Sequence, residues 1–297
     1  MAMKRIFYIM LAAFMILPFA ASAQQNLRSG YFLDGYIYKY KMNPAMAPER
    51  GFFSMPFLGN LGVGVESNLG LSTFLYPTES GRLTTFLSPR VSNETFLSNI
   101  DKSNKTNLNL DLTVLAFGFR TGKLFHTVDF SIKANGGMNV PGDMFKFIKT
   151  GGAMGDTSFD ISNVGFRSST HAELAYGFSF SVLENLSVGL RAKVLAGMFN
   201  ADIAMDQMTL EMGAEKWSIS THGNMMFSAP IDLGVDENNM VDWTSIDTGD
   251  LLQKLSAPNF GLAFDIGATY DFLDYFTASL SVVDLGFMKW KNVMMAE

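Results

Sequence analysis

The stretch Ala172 to Val194, AELAYGFSFSVLENLSVGLRAKV, decides how the chain is read. Ala172, Leu174, Tyr176, Phe178 and Phe180 fall on one parity, with Glu173, Ala175, Gly177, Ser179 and Ser181 on the other. After Leu183-Glu184-Asn185, the residues Leu186, Val188, Leu190, Ala192 and Val194 alternate with Ser187, Gly189, Arg191 and Lys193. Side chains on a strand point to opposite faces with period two, so the stretch is a hairpin with one apolar and one polar face. A soluble sandwich also makes such hairpins, and the rest of the chain must say which face meets water.

Two further segments rhyme with it. LAFGFRTGKLFHTVDFSIK (115–133) and LAFDIGATYDFLDYFTASLS (262–281) match LAYGFSFSVLENLSVGLRAK (174–193) in pattern. Each predicts strands of about ten residues, apolar on one side and small or polar on the other, the dyad signature of a transmembrane β-barrel. A sandwich would load its polar face with Lys, Glu and Thr, whereas here it is mostly Gly, Ser and Ala with an occasional charge. The chain carries 27 Phe, 20 Met and 27 Gly, a load that suits strands facing lipid on one side and packing closely on the other. Phe119 with Phe125, and Tyr270 with Phe276, bracket turns and suit an interfacial aromatic girdle.

The N-terminus supplies the address. Lys4 and Arg5 precede the apolar run Ile6 to Ala20, and Ala21-Ser22-Ala23 follows. A basic start, a short apolar stretch and small residues before the cut describe a secretory signal peptide over residues 1–23. About 15 apolar residues is short for a membrane span. No Cys stands at the cut, which excludes a lipoprotein, and the chain has no Cys at all, which excludes catalytic thiols and disulfides. The formal charge of −6 loses Lys4 and Arg5 on cleavage and leaves no basic patch for nucleic acid. A mature chain of about 270 residues is enough to close one sizeable barrel.

Between leader and barrel, residues 24–60 hold Tyr31, Tyr36, Tyr38 and Tyr40 and then the turn-rich run through Asn43-Pro44 and Pro48. The expectation is an irregular arm serving as a lumenal plug, with residues 61–297 forming the barrel. Short helices are expected at Ser92–Ile100, at Pro141–Thr150 and at Thr248–Leu255. A bulge is expected at Val114, where the apolar parity shifts from Leu112 to Leu115 and Phe117. One strand is expected over 158–166, and two more over 200–228 with a turn near Gly213.

The stretch NPAMAPERGFFSMPFLGNLGVGVESNLG (43–70) resembles an uncharacterised, domain-of-unknown-function family of Gram-negative outer-membrane barrels. So do LSVGLRAKVLAGMFNA (186–201) and IGATYDFLDYFTASLSVVDLGFMKWKN (266–292). That family is similar in style to FadL-type fatty-acid transporters and to PorV-like barrels of the type IX secretion system. The resemblance implies an outer-membrane location and no established activity. Barrels of this kind usually end on an aromatic residue, whereas Trp290 is followed by Lys291 to Glu297. The longer chains of the family favour a barrel lacking its last strands over one with a short tail.

Little marks an enzyme. His126, His171 and His222 have no partners at metal-ligand spacing, and no G-x-S-x-G elbow occurs. No catalytic residue, metal site or cofactor is expected. The charges on the interior parity are Asp129, Lys133, Glu173, Arg191, Lys193 and Asp265. They read either as a brace for the barrel wall, with Glu173 paired across its hairpin to the Arg191–Lys193 region, or as a polar track that binds a solute. The expected partners are outer-membrane lipid, a hydrophobic small molecule to bind or transport, and, on a scaffolding alternative, proteins of an envelope or secretion complex.

Overall fold

The computed structural model describes residues 28–33, 35–55, 60–151, 158–213, 216–229, 234–235, 241–242, 259–272, 276–291 and 293–296. The leader expected at residues 1–23 and the helix expected over 248–255 lie outside them. Two short 3-10 turns, Arg28–Phe32 and Ile37–Lys41, precede the strands. The strands β1 (Phe52–Ser54), β2 (Asn60–Ser67), β3 (Leu75–Pro77), β4 (Leu83–Thr85), β5 (Ser103–Thr121), β6 (Leu124–Pro141) and β7 (Ser158–Asp160) come first. Then follow β8 (Val164–Leu183), β9 (Leu186–Met212), β10 (Trp217–Ser228), the two-residue β11 (Gly234–Val235) and β12 (Val241–Asp242), β13 (Asn259–Phe272), β14 (Phe276–Lys289) and β15 (Val293–Ala296). Helices are few and short: α1 (Leu71–Phe74), α2 (Asn93–Leu97) and α3 (Gly142–Thr150).

Eleven strands form one antiparallel sheet. The opening hairpin is β8 turning at Glu184-Asn185 into β9, and its neighbours follow in the order β5-β6-β8-β9. β1 and β2 share the far edge of β5. β9 is the longest strand at 27 residues and changes partner midway. Its first half, Leu186–Gly197, pairs with β13, and its second, Asn200–Met212, pairs with β10. β14 then lies outside β13, and β15 outside β10. The all-β architecture with a few short helices is as expected, and among the described residues the sheet is not closed into a ring.

Local sequence explains most elements. The bulge falls at Val114, where Thr113 opposes Ser131 but Leu115 opposes Phe130. Ser92 caps α2, its Oγ accepting from Thr95 N at 3.0 Å. α3 starts after Pro141 and stops at Gly151, whose left-handed φ of 54° suits a residue without a side chain. The strand expected over 158–166 is divided instead. Asn163 adopts φ 65°, breaking the ladder between β7, which pairs with Glu211, and β8, which pairs from Met205.

Burial runs opposite to that of a water-soluble sheet. Leu174, Val194, Phe264, Ile266, Leu285 and Phe287 stand exposed, Leu285 by 62%. The alternate positions Asp129, Ser131, Glu173, Arg191, Lys193 and Asp265 are buried. Conventional apolar clusters are small. One joins Tyr38, Tyr40 and Ala116, and another joins Phe159, Ile161 and Leu210 beneath α3. At the helix-bearing end Phe86 stacks on Phe96 with centroids 4.4 Å apart, and Lys149 of α3 donates to the carbonyls of Phe86 and Val91.

At the tight-turn end, aromatic rings stack along the outer surface: Phe119 on His126, and Tyr270 on Phe272 on Phe276. Phe125 does not join them. It turns inward, 1% exposed, beneath the guanidinium of Arg120 and against the space left by Gly118.

Candidate functional site

The inner face of the sheet carries a charge cluster built by strand parity. Asp129 and Lys133 come from β6, Glu173 from β8, Arg191 and Lys193 from β9, and Asp265 from β13. The structure brings all six expected residues together. Arg191 is the centre: Nη2 lies 2.7 Å from Asp129 Oδ2, and Nη1 lies 2.8 Å from Asp265 Oδ2. Lys193 Nζ sits 2.6 Å from Asp265 Oδ1. Glu173 pairs most closely with Lys133 of β6, at 2.9 Å, and lies 3.7 Å from Arg191 across its own hairpin.

A side chain crosses a strand here. β8 separates β6 from β9, so Arg191 must lie over β8 to reach Asp129. The β8 residue opposite Arg191 is Gly177, and any Cβ there would collide with Arg191 Cγ and come within 2.8 Å of Thr127 Oγ1. The glycine is therefore required by close approach.

Four participants were not singled out from the sequence. Asp284 of β14 accepts from Lys193 and lies 3.7 Å from Lys133. It occupies a second bulge, where Phe264 opposes Leu285 but Ile266 opposes Val282, and its φ is 57°. Its backbone N–H donates to Asp265 Oδ1 at 2.7 Å. The parity slip from Val282 to Leu285 was the available signal, the same one that marks Val114. The other three are Tyr40, Lys41 and Asp111.

The arm lies across this face. Lys41 Nζ is 2.9 Å from Asp111 Oδ1 and donates to Thr113 Oγ1 at 2.8 Å and Ser131 Oγ at 3.1 Å. The ring of Tyr40 lies under the Arg191 guanidinium, 5.3 Å from centroid to Cζ. Burial pushes the Tyr40 phenol well above its ordinary pKa, and nearby Asp129 adds to the rise. Asn43 Nδ2 donates to the Ala268 carbonyl at 3.3 Å, and Ser281 Oγ donates to the Met42 carbonyl at 2.8 Å. Pro44 lies against β9 where Gly189 leaves room, since a Cβ there would strike its carbonyl.

Beneath the arm is a cavity of about 500 Å3. Its walls include Asn60 and Gly62 of β2 and Asp284 and Gly286 of β14, so the sheet curls until its two sides line one space. A second cavity, about 690 Å3, continues toward the helix-bearing end and shares Asn109, Asn135, Ser169 and Trp290 with the first. Among the described residues no set of His and carboxylates is arranged to hold a metal ion. No helix among them is long and apolar enough to cross a membrane, which says nothing of strands.

Fold and site together define an all-β protein built on one large antiparallel sheet, its charged inner face covered by an N-terminal arm. The chain belongs to a family of unknown function, DUF5723, whose model matches residues 44–296. No curated protein and no solved structure matches it.

Proposed function

We propose that the protein is an outer-membrane β-barrel, exported by the leader at residues 1–23, with the arm ahead of β1 acting as a plug over an interior that binds or admits a small molecule. One observation carries the reading: large apolar side chains such as Leu174, Ile266 and Leu285 face outward while Asp129, Glu173, Arg191 and Asp265 are buried. That arrangement of side chains is costly in water and favourable in lipid. The cavity lining mixes Leu110, Leu195 and Trp290 with amides and paired charges, which suits an amphipathic solute better than a purely apolar one. The protein should fractionate with outer membranes and migrate faster on a gel before boiling than after. Partition into the aqueous phase without detergent overturns the reading.

A second reading is a scaffold or docking barrel for an envelope or secretion complex. It is favoured by the filled centre, where ion pairs and the arm occupy the middle of the inner face. Proteoliposomes that pass no solute even after deletion of residues 24–50 would select it.

A further inference from the structure

We propose that the cavity beneath the arm is a binding site for a neutral saccharide. The inference rests on the reading of the protein as a solute-admitting barrel. The space of about 500 Å3 falls within the range of small-molecule sites.

Its charges are already matched. Lys41 pairs with Asp111 at 2.9 Å, Lys133 with Glu173 at 2.9 Å, and Asp284 with Lys193. An ionic ligand would lose its hydration and find each counter-charge engaged. The groups left over are neutral. Asn135 and Ser169 make no side-chain hydrogen bond among the described residues. Tyr36 occupies Asn60 Oδ1 at 3.0 Å and leaves the amide nitrogen of Asn60 to donate.

An amide both donates and accepts, as does each sugar hydroxyl, so such groups match a polyol without a net charge. Sugars are also amphipathic, and their C–H faces need apolar rings. Trp290 supplies one, set where the two cavities join. Beyond it Asn107 and Asn200 extend the amide lining, giving room for a ligand of more than one ring.

The test uses the full chain in an amine-oxide detergent, because glycoside detergents would occupy the site. Maltose and maltotriose are titrated by calorimetry and by tryptophan emission, beside glucose 6-phosphate and octanoate as charged and apolar comparators. The expected result is saturable sugar binding, tighter for maltotriose, with an emission change absent from Trp290→Phe. Asn135→Leu should weaken binding about tenfold, as loss of a ligand hydrogen bond does, and Ser169→Ala is the milder companion if that variant folds poorly. Absence of sugar binding, or tighter binding of octanoate or glucose 6-phosphate, overturns the proposal. A protein that partitions into membranes yet binds no sugar refutes this inference alone, whereas aqueous partition refutes the barrel reading beneath it.

Discussion

Arg191 and Asp129 meet at 2.7 Å although their strands, β9 and β6, are not neighbours. The contact passes over β8, and it fastens three consecutive strands by side chains as well as by backbone. Arg191→Met should remove the centre of the cluster and leave Asp129 buried with no counter-charge at its carboxylate. Breaking one side of a buried pair costs about 3–5 kcal/mol. The loss would be read as a lower denaturant midpoint for unfolding of the sheet, and a midpoint within error of wild type would show the cluster to be dispensable.

The same crossing makes Gly177 sensitive. Gly177→Ala places a methyl group against Arg191 Cγ and 2.8 Å from Thr127 Oγ1, and should cost about 1–3 kcal/mol. Gly136→Ala is the control. A methyl group there would come no closer than 3.9 Å to the Arg167 carbonyl oxygen, and the variant should be within about 0.5 kcal/mol of wild type. Equal effects of the two would refute the crossing as the cause.

Lys41 holds the arm. Lys41→Met strands Asp111 and frees Thr113 and Ser131, at a cost of about 1.5–3 kcal/mol for hydrogen bonds to a charged group. Proteinase K should then cut within residues 36–50 while the strands stay intact. Unchanged resistance would mean that Asn43, Pro44 and the tyrosines hold the arm without it.

Tyr40 makes the arm sensitive to alkali. Its folded-state pKa is raised above the ordinary value of ~10, so the contribution is full below about pH 10. As pH climbs further the released arm gives up its proton first, and docking weakens until the folded-state pKa is passed. Protease sensitivity of the arm should rise across that window in wild type and rise less in Tyr40→Phe. The Tyr40 hydroxyl has no hydrogen-bond partner, so the substitution should leave stability at neutral pH nearly unchanged.

How much of this was legible followed from how strictly the chain alternates. The six charges read as one face because Asp129 and Lys133, four apart, and Arg191 and Lys193, two apart, keep the same parity within unbroken runs. The Val114 bulge was visible because both flanks keep their period. Asp284 carries the same slip, but Val282-Val283 beside it blurs which residue is the extra one. Tyr40 and Lys41 lie in a segment with no period, so nothing local tied them to strands about 70 to 150 residues away. Phe125 misled because an aromatic next to a turn looks interfacial, whereas parity alone places it on the inner side with Thr127 and Asp129. The break at Asn163 came from one left-handed residue inside an otherwise plausible strand.

The change of partner along β9 sets an order of assembly. β8 and β9 can zip from a two-residue turn, and β10 can follow through a short connection onto residues 200–212. β13 begins at Asn259 and must find the remaining edge at 186–197 after a long excursion. Closing that larger loop is the entropically slower event. Until it happens, Arg191 and Lys193 lack Asp265 and Asp284, so the nascent sheet holds an excess of positive charge along one open edge. The ion pairs of Arg191 and Lys193 are therefore complete only once β13 and β14 have joined the sheet.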